Sequence, residues 1–225
     1  MLQREFKVEE VKMQNFAEKL KQELSNGLPG TEVQWEMASS DRMIKNFPGN
    51  RRDDTLEGSV LILLYPVDNK INTVFIQRPV YDGVHSGQIS FPGGKREKSD
   101  KDLIDTAIRE TCEETGIENN IISIIGTLTP LFIPVSNIVV TPVVAFTEKR
   151  PLYIPNREEV VFLIEAELEL FCNGSLVKTI PYNINGESLL IQCYDYDNNI
   201  IWGATAMILH ELVVVLKRGK VETAV

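Results

Sequence analysis

Three glutamates at helical spacing are the residues of this chain best suited to chemistry. Glu110, Glu113 and Glu114 occupy positions i, i+3 and i+4, and because a helix turns by about 100° per residue, they share one helix face. Like charges at this spacing repel one another and destabilise the helix unless a cation lies against them. Hard divalent cations such as Mg²⁺ or Mn²⁺ take oxygen ligands. The triad therefore predicts a divalent-metal site.

The residues around the glutamates predict a loop, a helix and a second loop. Pro92-Gly93-Gly94 forms a turn that can bring the backbone close to a ligand. Ser99 with Asp102 three residues later resembles a capping box, and it predicts that the helix begins there. Gly116 predicts its end. The glutamates then lie on the last turn and a half of the helix.

The segment from Gly94 to Ile117 resembles the Nudix box, G-x5-E-x7-R-E-U-x-E-E-x-G-U, in which U is a bulky apolar residue. The matching residues are Gly94, Arg109, Glu110, Glu113, Glu114, Gly116 and Ile117. Asp100 stands where the first glutamate belongs, its spacing to Arg109 is one residue longer than the general pattern, and Thr111 replaces an apolar residue.

The longer spacing and the aspartate resemble the coenzyme A pyrophosphatase branch of the Nudix hydrolases. That branch also has an upstream signature similar to R-x-x-x-x-x-x-H-x-G-Q-I/V-S/C-F-P-G-G. The residues that match it here are Arg78, His85, Gly87, Gln88, Ile89, Ser90, Phe91, Pro92, Gly93 and Gly94. Residues 136–144, 156–160 and 201–206 resemble further segments of the branch, so the resemblance extends from about Val60 to Lys217.

This resemblance implies an α+β protein, an α/β/α sandwich with a mixed central sheet and an added N-terminal helix. It also implies a Mg²⁺- or Mn²⁺-dependent hydrolase that cleaves a diphosphate linkage. Coenzyme A or a derivative is the leading substrate, and the products are 4′-phosphopantetheine and adenosine 3′,5′-bisphosphate. Glu110 and Glu114 are then the principal metal ligands and Glu113 is the third, whereas Glu110, Glu114 and Arg109 form the catalytic set.

The general base stays open at this point. Glu110 itself is one candidate, and a glutamate from a downstream loop is the other. The downstream candidates, chosen by position alone, are Glu158, Glu159, Glu165 and Glu167. Arg109 lies about 100° around the helix from the adjacent Glu110, and we expect it to pair with an acid and hold the helix in place.

Substrate-binding candidates come from the loop and the strand before the helix. Gly93 and Gly94 offer backbone, and Arg78 and Lys95 offer charge; arginine suits bidentate phosphate binding, although one at a strand end is commonly a surface residue. His85 either contacts substrate or is a packed loop histidine. The aromatic residues that could stack on adenine, or simply pack in the core, are Tyr81, Phe91, Phe132 and Trp202.

Two parts are predicted along the chain, an N-terminal helix and linker over residues 1–57 and a Nudix hydrolase domain over 58–225. Apolar residues recur at helical spacing over 4–24. Residues 37–57 read as a solvated linker or as a source of phosphate-binding side chains, namely Arg42, Lys45, Arg51 and Arg52. Strands are predicted over 59–65, 73–78, 89–91, 121–128, 138–147, 176–180 and 188–194. A final helix over 202–217 is closed by Gly219.

Composition limits the classes of partner. The net charge of −9 argues against nucleic-acid binding. No apolar run reaches the roughly 18 residues that span a bilayer, and the N-terminus lacks a secretory pattern. Three cysteines without metal-type spacing predict reduced thiols in a cytoplasmic protein. The N-terminal helix is expected either to cover the protein's own surface or to form a homodimer.

Two other functions are compatible with the box. The first is hydrolysis of another nucleoside diphosphate derivative, because the box residues handle the diphosphate and not the groups attached to it. A Nudix fold that senses a ligand without turnover is the second alternative. Such a module would be expected to lose box acids, and here all three glutamates are present.

Overall fold

The computed structural model of the chain describes residues 2–39, 52–184 and 186–224, with the backbone alone for residues 2–11, 184 and 187. Its helices are α1 (Leu2–Ser25), α2 (Thr31–Trp35), α3 (Leu103–Thr115), α4 (Leu168–Cys172) and α5 (Gly203–Gly219). The first strands are β1 (Leu56–Val67), β2 (Lys70–Gln77), β3 (Ile89–Ser90), β4 (Gly93–Lys95), β5 (Ser123–Thr127) and β6 (Leu131–Ile133). The others are β7 (Ile138–Phe146), β8 (Phe162–Glu167), β9 (Val177–Ile184), β10 (Glu187–Tyr196) and β11 (Asn199–Trp202).

An eight-stranded mixed sheet forms the centre of the molecule. Its order is β3-β2-β1-β7-β5, with β4 also paired to β1, β6 to β7 and β8 to β2. Strands β1 and β7 run parallel, whereas the other pairs are antiparallel. Strands β9, β10 and β11 form a separate antiparallel sheet. The predicted α+β architecture with a mixed central sheet is therefore confirmed.

Both faces of β1 are buried, as its continuous apolar run predicts. Because side chains alternate along a strand, Ile62 and Leu64 enter one hydrophobic cluster and Leu61 and Leu63 enter another. The first cluster includes residues of α1 and α5, and the second includes Ala107 of α3. Helices thus cover both faces of the sheet, which gives the predicted α/β/α sandwich.

Helix α1 uses its apolar face inside the protein. Met13, Phe16 and Leu20 are buried in the cluster that also holds residues of the central sheet. Arg218 of α5 donates from Nη2 to the Glu23 carbonyl at 2.7 Å, near the C-terminal end of α1, where carbonyls lack helical partners. Of the two roles predicted for this helix, its described side chains therefore serve to cover the protein's own surface.

Two predicted helix ends are wrong. Helix α3 begins at Leu103 rather than Ser99, because the Asp102 carboxylate caps it by accepting from the Ile104 and Asp105 amides at 2.9 Å. Helix α5 includes Gly219, and Lys220 is its left-handed cap. A Cβ on Gly219 would overlap the side chain of Glu23, so this glycine permits close packing against α1.

The prediction for the linker is tested only in part, since Arg42, Lys45 and Arg51 lie outside the described residues. Arg52 is described, and it pairs with Asp54 at 3.2 Å. The short helix α2 was missed by the sequence analysis, because its five residues follow Gly30 without a clear period. In the described parts of the chain, we find no helix that joins sufficient length with sufficient apolar character to cross a membrane.

Candidate active site

The glycine turn lies against strand β1 at very close range. Strand β4 pairs with it so that Gly93 is opposite Val60 and Gly94 is opposite Ser59. Gly93 has a φ of 148°, and a Cβ there would overlap the backbone of both Ser59 and Val60. Only glycine fits this position. The turn consequently directs the Gly93 amide towards α3, where it donates to Glu114 Oε2 at 2.8 Å.

The second glycine of the turn accommodates Glu110. A Cβ built on Gly94 would coincide with the Glu110 carboxylate. The sequence analysis assigned this turn to close approach of a ligand, and the structure uses the same freedom for close approach of the two carboxylates. Glu110 and Glu114 are therefore held together against one strip of backbone, at the C-terminal half of α3.

Glu114 is a buried carboxylate whose negative charge is only partly compensated. The residue is 2% exposed, and burial raises its pKa from 4.5 to about 8, although the Gly93 amide and Arg78 both oppose the rise. Arg78 Nη1 lies 3.8 Å from Glu114 Oε1, which is too long for a strong ion pair. A buried anion with so little compensation is an electrostatic cost that a bound cation would remove.

Glu110 has a firmer partner. Its Oε1 lies 3.1 Å from Arg109 Nη2. Burial nevertheless raises the pKa of Glu110, and Arg109 opposes that rise. Both carboxylates therefore favour the protonated form more than an exposed glutamate does, as expected for acidic groups that are partly removed from water.

Glu113 does not join the other two glutamates. Its side chain is 53% exposed, and its Oε2 lies 3.0 Å from Arg109 Nη1. Among the described residues, no three His, Cys, Asp or Glu side chains are grouped so that they could hold one metal ion. The structure thus divides the triad into a buried pair and an outer residue, because Arg109 at i−4 draws Glu113 to itself. Metal ligation by Glu113 stays a prediction.

The buried pair fits a divalent cation. Mg²⁺ is commonly bound through one or two carboxylates, with substrate phosphates and water completing its coordination. Glu110 and Glu114 supply the two carboxylates, and burial, the main cause of the raised pKa of Glu114, disfavours an ionised form that a bound cation would stabilise.

Comparison with known proteins identifies the family of this chain. A family model described as the NUDIX domain matches residues 55–168, about half of the sequence. The chain belongs to the Nudix family. The match begins with β1 and ends with β8, so it includes the glycine turn, α3 and the strands that hold them.

Curated relatives and a solved structure agree with this assignment. "Uncharacterized Nudix hydrolase NudL" of Pectobacterium atrosepticum is 37% identical over 131 residues, 57% of this chain and 66% of the relative. "Nudix hydrolase 22, chloroplastic" of Arabidopsis thaliana is 32% identical over 160 residues, 68% of this chain and 53% of the relative. The chain therefore spans between about half and two thirds of these relatives. The Nudix hydrolase RenU from M. smegmatis shares the fold, with a TM-score of 0.51 at 15% identity, covering 73% of this chain and 87% of RenU.

Arg109 connects the Nudix helix to the loop before it. Its Nε and Nη2 donate to Asp100 Oδ1 and Oδ2 at 2.8 and 3.0 Å, and Nη2 also donates to the Lys95 carbonyl at 3.2 Å. These bonds hold the pKa of Asp100 well below its usual range. The predicted pairing of Arg109 with an acid is observed. Its expected separation from the glutamates is wrong, because the long side chain reaches both Glu110 and Glu113.

A downstream loop packs on the end of the Nudix helix. The Ile154 amide donates to the Thr115 carbonyl at 2.8 Å, and the Asn156 amide donates to the Glu114 carbonyl at 2.9 Å. The close approach requires glycine at the helix end, since a Cβ on Gly116 would overlap the Ile154 carbonyl. Residues 156–160 resemble a family segment and contain two of the predicted base candidates, but no local sequence pattern indicated that they meet the helix.

This loop separates the four downstream base candidates. Glu159 lies on the loop whose Asn156 amide donates to the Glu114 carbonyl at 2.9 Å, and its charge contributes to the raised pKa of both Glu110 and Glu114. Glu165 is paired with Arg150 at 2.5 Å and Glu167 with Lys70 at 2.8 Å. Glu158 is exposed and makes no comparable contribution to the buried pair. Of these candidates, Glu159 is the one that the fold brings to the site.

The remaining predicted residues have mixed placements. Both ring nitrogens of His85 have partners, Gln88 Oε1 at 3.0 Å and Ser136 Oγ at 3.3 Å, which supports a packed loop histidine. Lys95 lies exposed at the end of β4. Arg78 is near the buried pair, and its Nε is buried without a hydrogen-bond partner in the described chain. Substrate contacts by these residues stay predictions.

The aromatic candidates lie mostly in the core. Phe91 and Phe132 are 2% and 6% exposed, so they are packing residues. Trp202 is half-buried against Tyr182, with ring centroids 5.0 Å apart, whereas Tyr81 is 41% exposed. None of the four is in a described contact with Glu110 or Glu114.

Proposed function

We propose that the protein hydrolyses the diphosphate linkage of coenzyme A or a derivative of it, with Mg²⁺ or Mn²⁺. The products would be 4′-phosphopantetheine and adenosine 3′,5′-bisphosphate. The observation that carries the proposal is the buried pair Glu110 and Glu114, seated on Gly93 and Gly94 with the Arg78 guanidinium 3.8 Å from Glu114 Oε1. A diphosphate needs this combination of acids for a cation and a positive side chain for its oxygens.

Glu110 and Glu114 would hold the cation. When bound, a divalent cation neutralises charge on the non-bridging phosphate oxygens and orients the attacking water. The Gly93 amide keeps the Glu114 carboxylate in place, and Arg109 does the same for Glu110. Arg78, whose Nη1 lies 3.8 Å from Glu114 Oε1, would donate to phosphate oxygens, which suits its planar fork of donors.

Glu159 is the favoured general base. Glu110 and Glu114 are committed to the cation in this proposal, whereas Glu159 is exposed and accepts one described hydrogen bond, from Asn156 Nδ2 at 2.9 Å. Its position near the buried pair would let it take the proton from a water aimed at phosphorus. The bond from Asn156 would orient its carboxylate.

Glu159→Gln is expected to lower kcat about 100-fold with little change in KM, because general-base catalysis typically contributes a factor of this order. Steady-state kinetics at saturating Mg²⁺ measure the effect. Glu158→Gln is the matched control, since it removes the same charge from the adjacent exposed residue, and a change below about twofold is expected there. Equal losses in the two variants would show that the loop charge matters and not a base at Glu159.

Coenzyme A is proposed as substrate because of the signature over residues 78–94 and the longer box spacing. The experiment is an assay of the purified protein with Mg²⁺ against coenzyme A, an acyl derivative, a dinucleotide and a nucleotide sugar. We expect the highest kcat/KM for coenzyme A or its derivative, with the two products above identified by mass. A higher kcat/KM for the dinucleotide or the nucleotide sugar would show that coenzyme A is not the substrate, but it would leave the proposed diphosphate hydrolysis unchanged. The predicted cytoplasmic location and homodimer are not needed for this proposal and stay predictions.

A further inference from the structure

A cavity of about 510 Å³ lies beside the active site on the loop that carries Glu159. Its volume is typical of a small-molecule site. The glutamates of the box do not line it. The residues that do are Arg150, Pro151, Leu152, Tyr153, Pro155, Arg157, Phe162, Leu163 and Glu165.

The sheet register places this cavity next to the buried pair of Glu110 and Glu114. Phe162 begins β8 opposite Gln77 of β2, and the Val161 amide donates to the Gln77 carbonyl at 2.9 Å. Neighbouring strands are about 4.8 Å apart. Arg78, the next residue along β2's chain, reaches Glu114. Phe162, which lines the cavity, is therefore roughly one strand spacing from Gln77, the residue before Arg78.

The charged residues of the cavity are unequally compensated. Arg150 is held by Glu165, with Nε to Oε2 at 2.9 Å, and Glu165 also accepts from the Tyr65 hydroxyl at 2.9 Å. Arg157 has a single described bond, from Nη1 to the Val161 carbonyl at 3.2 Å. Within the described chain, no carboxylate forms an ion pair with it. The cavity thus presents one uncompensated cation, which favours an anionic ligand.

The apolar part of the cavity is suited to a flat ring. Phe162 is 42% exposed and Leu152 is 81% exposed, and two prolines complete this side. An exposed aromatic face can stack on a nucleobase, a contact that contributes about 1–3 kcal/mol in other proteins. Large exposed apolar side chains around a cation are more typical of a binding site than of ordinary surface.

We propose that this cavity binds the nucleoside arm of the substrate and selects a nucleoside that carries an additional phosphate monoester. Phe162 stacks on the base, and Arg157 donates to the monoester, which lies outside the diphosphate. The inference depends on the proposed function, because a diphosphate held at Glu110 and Glu114 directs one of its two arms towards the cavity. It assigns to Arg157 the choice between phosphorylated and unphosphorylated nucleosides.

Binding of two nucleotides that contain no diphosphate linkage tests the site independently of hydrolysis. We expect calorimetry with the full chain and Mg²⁺ to show that adenosine 3′,5′-bisphosphate binds about tenfold more tightly than adenosine 5′-monophosphate. A difference of this size is what one additional charge-assisted hydrogen bond contributes. Arg157→Gln should abolish this preference, and Phe162→Ala should lower the affinity for both ligands to a similar extent. Lys178→Gln, which removes an exposed charge on β9 outside the cavity, should keep the preference.

The possible results separate this inference from the proposed function. A wild-type protein without the preference, or an Arg157→Gln variant that keeps it, overturns the site. If binding depends on Arg157 but the protein hydrolyses no diphosphate, the result supports the proposed nucleoside site and contradicts the proposed function. Hydrolysis of coenzyme A and of its analogue without the 3′-phosphate at equal kcat/KM overturns the site and keeps the function. Thermal melting of Arg157→Gln and Phe162→Ala verifies that each variant is folded.

Discussion

Glu114→Gln is expected to lower kcat/KM by about 1,000-fold, since it removes one of two carboxylates proposed to hold the cation, and metal ions contribute several kcal/mol to such reactions. Glutamine retains the shape of the side chain and its bond from the Gly93 amide, so the fold is preserved. Activity is measured against coenzyme A, and Mg²⁺ binding is measured by calorimetry. Glu118→Gln, at an exposed residue beyond the helix, is the control and should behave as the wild type.

The same variant is expected to stabilise the metal-free protein at alkaline pH. The folded-state pKa of Glu114, about 8, lies above the ordinary value of 4.5, so between these pH values the folded protein retains a proton that the unfolded chain releases. The wild-type free energy of unfolding therefore decreases as pH rises from about 4.5 to 8. Glutamine cannot ionise, so the variant avoids the loss of about 3–5 kcal/mol in the free energy of unfolding that accompanies ionisation of Glu114.

Thermal melts of both proteins in a chelator, at pH 4.5 and at pH 9, test this expectation. The melting temperatures should agree at the lower pH, and the variant should melt about 5–10 °C higher at the upper one. Addition of Mg²⁺ at pH 9 should stabilise the wild type and leave the variant unchanged. A variant that keeps full activity, or that melts lower at pH 9, would contradict the assignment of Glu114 as a buried cation ligand.

Arg109→Met is expected to lower the melting temperature by about 5–10 °C and kcat/KM by about 10–100-fold. The arginine is the shared partner of Asp100, Glu110 and Glu113, and removing one member of a buried ion pair leaves the others uncompensated. The Asp100 side chain is 2% exposed, so it cannot turn to solvent without displacing the loop before α3. Loss of Arg109 would also raise the pKa of Glu110 further, since Arg109 now opposes that rise.

The stability that Arg109 provides through Asp100 depends on pH in the opposite direction from that of Glu114. The pKa of Asp100 is lowered in the folded protein, chiefly by its hydrogen bonds from Arg109, so the resulting stability is complete above the ordinary aspartate pKa and is lost in acid. The gap in melting temperature between Arg109→Met and wild type should be constant from pH 6 to 8 and narrow below about pH 4. Arg109→Lys should recover only part of the gap, because lysine cannot bond bidentately to Asp100. A gap that is unchanged at pH 3 would indicate lost packing instead of lost ion pairs.

Much of the Nudix helix α3 was predictable, because its determinants are local. The i, i+3 and i+4 spacing places three glutamates on one face, and Gly116 ends the helix with a φ of 73°. Strand β1 was predicted by its apolar run, and Asp68 and Asn69 form its turn with positive φ. Where two local signals competed, as at Ser99 and Asp102, the sequence did not reveal which residue would cap the helix.

The arrangement around the helix was not predictable from local pattern. Glu113 was grouped with the other glutamates, yet Arg109 draws it outward. The sequence does not distinguish Glu159 from Glu158, because only the packed loop lets the charge of Glu159 raise the pKa values of Glu110 and Glu114. The cavity at Arg157 combines that loop with β8 and likewise has no signature within a single stretch of sequence.

The sequence by itself determined the family, the types of the residues that are proposed to bind a metal, and the helix and glycine turn that carry them, because these depend on spacings of a few residues and on glycine's access to unusual backbone angles. Only the tertiary structure decided which carboxylates are buried together, how far burial raises their pKa values, and which downstream loop meets them. Burial and partners are set by contacts between segments far apart in the chain, such as that of Gly93 with Glu114, and no local spacing encodes them.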